Sequence, residues 1–227
     1  MHSIRLAAAC LPLAVAAPAV LAQAEAEAGA PPAEKAEAAE VAMPELRAEL
    51  LAMKELDQEI RGQLMELAQS GERDPAKMMP LAMEMMQTDA KHTARMKEIV
   101  EEHGWPKKSL VGKDGAAAAW ILVQHADRDV SFQAKCLELI TPLVEEGEVA
   151  KDDWALLTDR VLLAQGQKQR YGTQTTRTSE GEIELRPCED LDTLDERRAE
   201  VGLPPIDEYL ELVREATGAG GVIRIGG

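Results

Sequence analysis

Residues 116–127 read AAAAWILVQHAD, and the run from Ala116 to Val123 contains no polar position. A helix that is apolar all round is a buried helix, so this stretch predicts a helical fold built around a central rod. The run stops abruptly on Gln124, His125 and Asp127. Hydrogen-bonding side chains at the end of a buried helix need partners, because an unpaired polar group in the interior costs stability. One stretch therefore predicts both the architecture and an internal polar site.

Outward from it, spacing and punctuation predict five main helices, over about 45–69, 75–103, 115–126, 130–146 and 152–165. Pro44 suits a first turn, Asp74-Pro75 opens the second helix, and Gly104-Trp105-Pro106 ends it. Asp114 and Asp129 read as N-caps, and Gly147 and Gly166 as helix ends. Arg170–Arg177 and Glu182–Arg186, around Glu180-Gly181, read as a small hairpin. Thr193 and Glu196 have capping-box spacing before a short helix ended by Gly202, and a last helix covers about 206–216. The expected fold is mostly α, a compact multi-helix bundle with a small C-terminal β-hairpin and a final helix. One helical domain spans 45–216, followed by a flexible glycine-rich tail over 217–227.

Polar residues recur inside the apolar stripes. Leu46, Leu50, Met53, Asp57, Ile60, Leu64 and Leu67 advance in steps of four and three, which keeps all of them on one face. Asp57 sits at the centre of that face, within reach of Arg61 one turn on. In the second helix His92 lies among Leu81, Met85, Thr88 and Ile99, with Asp89 one turn earlier. Gln133 falls between Phe132, Cys136 and Ile140, and the strongly apolar fifth helix carries Asp159 and Arg160. Adjacent residues cannot face one way, so one of these last two is expected in solvent. Each feature has a plain structural reading: a register-fixing ion pair at Asp57–Arg61, a His125 bonded to the last carbonyls of its helix, and turn or cap roles for Asp127 and Asp129. Their recurrence on several helices favours an internal ligand or catalytic site.

The chain has 227 residues and a formal net charge of −16. Residues 1–22 read as a signal peptide: Arg5 precedes an apolar segment interrupted by Pro12 and Pro18, and Val20-Leu21-Ala22 fits a cleavage site. Cleavage there would remove Arg5 and take the charge to −17. Residues 23–44, rich in Ala, Glu and Pro, read as a disordered linker. The expected location is periplasmic or secreted, with no integral membrane segment after cleavage. So acidic a chain, without a basic run, is not expected to bind nucleic acid. In an oxidising compartment Cys136 and Cys188 either pair or pack as small apolar residues.

Met78, Met79, Met83, Met85 and Met86 cluster near the start of the second helix. Thioethers are soft ligands that suit copper(I), but helical spacing equally places methionine in a core, and core packing is the preferred reading. Zinc-ligand spacing, a Gly-rich phosphate loop and a Gly-x-Ser-x-Gly elbow are all missing from the sequence. No cofactor or resident metal is expected.

These residues resemble the pattern of a bacterial family known only as a domain of unknown function. The resemblance covers about 45–212 and runs through Asp57-Gln58 with Arg61, Asp89, Gly104-Trp105-Pro106, Gln124-His125-Ala126-Asp127, Gln133, Asp159-Arg160-Val161, Tyr171-Gly172-Thr173-Gln174 and Arg197-Arg198. It implies no activity. The family pattern has Asn where this chain has His92, which favours His125 over His92 as a catalytic group.

The expected function is binding or water-mediated hydrolysis of a small polar ligand. His125 is the candidate general base, histidine being the side chain type whose proton affinity lies near neutral pH, with Asp57 or Asp127 orienting it. Arg61 or Arg160 would stabilise negative charge, while Gln58, Gln124, Gln133, Tyr171 and Gln174 would position substrate. Alternatives are a non-enzymatic binding or interaction domain and a methionine-based copper(I) carrier.

Overall fold

Pro44 opens α1 (Pro44–Gln69) at a position where the missing N–H costs nothing. A computed structural model describes residues 41–71 and 74–223 of the chain. The signal-peptide reading and most of the linker reading fall outside those residues. The end of the linker is docked: Met43 N–H donates to the Leu110 carbonyl at 2.9 Å.

The helical part runs through α1, α2 (Pro75–His103), α3 (Lys108–Gln124), α4 (Val130–Glu145) and α5 (Lys151–Ala164). Asp74 caps α2 by accepting from the Ala76 N–H, and Asp129 caps α4 by accepting from Phe132 at 3.0 Å. The α1 stripe is buried through Leu46, Leu50, Asp57, Ile60 and Leu64. It packs against α3 and α2, while α4 packs on α5. Ala118, Ala119, Leu122 and Val123 of α3 are buried, leaving Ala117 on the open side. Side chains such as Leu50, Met96, Ile99 and Ile140, fully removed from water, each contribute about 1.5–3 kcal/mol.

The third helix starts earlier than the sequence suggests. A first turn at Lys108–Val111 precedes a break at Gly112, whose φ of 75° is left-handed. Asp114 holds no helix start of the kind expected; its carboxylate takes Arg47 Nε at 2.8 Å and the adjacent Gly115 N–H.

The C-terminal part comprises β1 (Thr175–Arg177), β2 (Ile183–Leu185), α6 (Leu194–Glu200), α7 (Ile206–Thr217) and β3 (Val222–Ile223). β1 and β2 pair antiparallel, Thr175 opposite Leu185. Val222 and Ile223, inside the stretch read as a tail, pair parallel with β2. The first hairpin strand is shorter than Arg170–Arg177 because residues 170–173 are engaged elsewhere. The Asp159 carboxylate accepts from the N–H groups of Arg170, Tyr171 and Thr173, which are then lost to a ladder. Gly172 has a φ of 66°, and a Cβ there would meet the Ile206 and Leu194 side chains at 3.2 Å, so the turn requires glycine at this position. The Thr193–Glu196 capping box does not form: Thr193 Oγ1 donates to Asp190 at 2.9 Å and accepts from Arg197.

Candidate functional site

α3 ends at Gln124, and the next residue, His125, caps it with a φ of −87° and a ψ of 1°, much as Gln165 caps α5. Its imidazole leaves the helix axis and meets Asp57 on α1. Nδ1 lies 2.9 Å from each carboxylate oxygen. Asp57 is 2 % exposed and His125 6 %. The remaining capacity of the Asp57 carboxylate is filled by Gln58 Nε2 at 2.7 Å and Arg61 Nε at 3.1 Å. Burial alone would raise this carboxyl, but the His125 hydrogen bond, the charges of His125 and Arg61 and the Gln58 amide hold it below its ordinary value. An ionised carboxylate only accepts, so the proton between the two side chains sits on Nδ1. In the neutral ring, Nε2 then carries the lone pair.

α2 closes the other side. Arg61 donates to Asp89 at 2.7 Å and to the Met85 sulfur at 3.2 Å. Burial pushes the Asp89 carboxyl up despite the charge of Arg61. His92 is buried beside this group, and desolvation pushes its imidazole down, against the opposing charge of Asp57. Two buried polar atoms here have no hydrogen-bond partner among the described residues, His125 Nε2 and His92 Nδ1; elsewhere Gln124 Nε2 and Arg198 NH2 also lack one. Interiors rarely leave such atoms unpaired without a reason.

A second group of polar residues fixes the segment that carries His125. Arg160 Nε donates to Gln124 Oε1 at 2.7 Å, and its NH1 to Asp127 at 2.6 Å. Gln133 Nε2 donates to the carbonyls of Val123 and Gln124, both at 3.1 Å. The helix end is thus clamped by side chains from α4 and α5. Asp127 serves Arg160 rather than orienting His125, and half of its side chain faces solvent.

A third group surrounds Asp159. Besides the three N–H groups, Asp159 accepts from Thr173 Oγ1 at 2.8 Å. Burial pushes this carboxyl up, against those four donors. Arg198 donates to the Tyr171 and Pro204 carbonyls, and Tyr209 to the Thr173 carbonyl at 2.7 Å. Tyr171 packs edge-on against Trp154, while Gln174 Nε2 donates to Thr173 Oγ1 and the Gln174 backbone N–H to Gln169 Oε1. Tyr171 and Gln174 therefore belong to this turn and not to the rim of the His125 group. Asp159 and Arg160, expected to place one member in solvent, are both buried. Neighbours on a helix point about 100° apart, and each has found its own network.

Asp89 and His92, absent from the expected site set, belong with Asp57 and His125. The sequence signal was present: a carboxylate and an imidazole one turn apart on an apolar face. Depressions in the surface of the described residues include one of about 370 Å³ (Lys97, Glu101, Ser131, Phe132, Lys135) and one of about 530 Å³ (Leu51, Lys54, Glu55, Gln58, Glu59). Neither is lined by Asp57 or His125; Gln58 joins the larger one to Asp57. Cys136 and Cys188 are both free and buried, with thiols pushed up by burial to about 12 and about 11. Among the described residues no group of three or more His, Cys, Asp or Glu could hold a metal ion, and no helix is long and apolar enough to cross a membrane.

The profile of one protein family, described as "Family of unknown function (DUF6624)", matches residues 44–221. The chain belongs to this family. The DUF6624 match begins with the first residue of α1 and takes in all three polar groups described above. No curated protein and no solved structure matches the chain.

Proposed function

We propose that this DUF6624 protein is exported and binds a small polar ligand at the Asp57–His125 pair, where His125 activates water for hydrolysis. One observation carries the reading: Nδ1 is held by an ionised carboxylate while Nε2 is buried and unpartnered. That arrangement suits a general base. Nε2 takes a proton from water as the water oxygen attacks the ligand, then returns it to the leaving group. Water is the nucleophile in this reading, in keeping with the buried Cys136 and Cys188 thiols being held protonated. Gln124 Nε2 is the donor available to a ligand, with Arg160 and Gln133 as positioning residues. Entry would run from the depression at Gln58.

The deep burial of both Asp57 and His125 favours a second reading, in which the same groups hold a ligand or organise the fold without chemistry. The test is a panel of chromogenic esters, amides, glycosides and phosphoesters, assayed with wild type and His125→Gln. The hydrolytic reading expects a rate in one class that falls about 100-fold or more in the variant. Turnover unchanged by His125→Gln, or no turnover in any class, would leave the second reading.

A further inference from the structure

The methionines of α2 do not pack as the sequence led one to expect. Met79, Met83 and Met86 are 57, 52 and 37 % exposed, whereas Met78 and Met85 are half-buried. Met85 has a role inside, its sulfur accepting from Arg61. The exposed three advance by four and three residues and so share the outward face of the helix. Their Cβ atoms are neighbours about 5–6 Å apart at each step, and each side chain has three rotatable bonds. Met83 can therefore share an ion with Met79 on one side or Met86 on the other without any movement of backbone, while Met79 and Met86, about 10.5 Å apart along the axis, alternate as its partner.

An outward face gains nothing from apolar side chains in water, and hydrocarbon would cover a protein partner as well as sulfur does. What distinguishes these three positions is the soft donor atom. Soft donors select Cu(I) over the harder divalent ions. The chain's net charge of −16 also favours cations in its surroundings. We infer that Met79, Met83 and Met86 form a surface site for a soft monovalent cation, Cu(I). The site is separate from the Asp57–His125 pair, lies on the opposite face of α2 from His92, and involves binding alone with no electron transfer.

Ag(I), a redox-silent probe of the same softness, tests this with methyl-labelled methionine and NMR. One equivalent should shift the three methyl resonances together while those of Met53 and Met96 stay in place. Cation captured by a cysteine would not move the three methyls, so the readout is local. Met79→Leu/Met83→Leu/Met86→Leu should keep the thermal midpoint of the wild type and lose the response. The site is refuted if the three methyls are unmoved at one equivalent, or if the Leu variant binds Ag(I) equally well. Methyl shifts that follow protein concentration instead of Ag(I) would also refute it, marking the face as a contact between copies of the chain.

Discussion

His125 holds Nδ1 at 2.9 Å from both oxygens of Asp57, although 68 residues separate them. The pair joins the end of α3 to the middle of α1, so it fixes the register of two packed helices as well as a tautomer. Asp57→Ala leaves Arg61 and His125 without their shared acceptor. It should cost about 3–5 kcal/mol in denaturant unfolding. Asp57→Leu with Arg61→Met removes the charges of the pair together, leaving Asp89 to solvent or protonation, and should lose less than Asp57→Ala does. A double variant at least as unstable as the single would show that the pair is needed for the fold itself.

Asp159 is the acceptor for three backbone N–H groups and one hydroxyl in the turn 170–173. Asp159→Ala should cost about 4 kcal/mol, since each buried donor left unpaired costs roughly 1–3 kcal/mol. Hydrogen exchange should locate the loss: amides of the turn open first, those of α1 and α3 last. A loss under about 1 kcal/mol would contradict the anchoring role.

His92 is held below its ordinary value by burial. A depressed group contributes stability that is intact above its unfolded value, about 6.5, and is lost as pH falls through the folded value. Asp57 is depressed too, so its contribution is lost at lower pH, starting below about 4. His92→Asn should flatten the stability profile just below about pH 6.5 and leave the steeper acid limb. Parallel profiles for wild type and variant would be the wrong result for this assignment.

Export carries its own check. Intact mass of the protein from an exporting host should correspond to a chain starting at Gln23 or within a few residues of it. A full-length cytoplasmic product would contradict the signal reading of residues 1–22.

The strongly periodic elements were legible in the sequence. The Leu46–Leu64 stripe placed Asp57 inside, and the run Ala116–Val123 placed α3 at the centre, because burial there is set by which face is apolar. Pairings between distant elements were not legible. Nothing local to Asp127 tells that Arg160 claims it, and nothing local to Arg170–Thr173 tells that Asp159 takes its N–H groups away from a strand. The capping box failed for the same reason, as Arg197 and Asp190 compete for Thr193. Met79, Met83 and Met86 were misplaced because spacing shows that residues share a face without showing which way it points.

The central claim is that Asp57 and His125 face a ligand. The most direct measurement is thermal unfolding of wild type, His125→Ala and Asp57→Leu/Arg61→Met against neutral sugars, amino acids, small carboxylates and amides. A ligand bound only by the native state raises the midpoint in proportion to its occupancy. The account predicts that one of these classes raises the wild-type midpoint at millimolar concentration and leaves both folded variants unmoved. A wild type indifferent to every class, or a shift that survives in both variants, would contradict it.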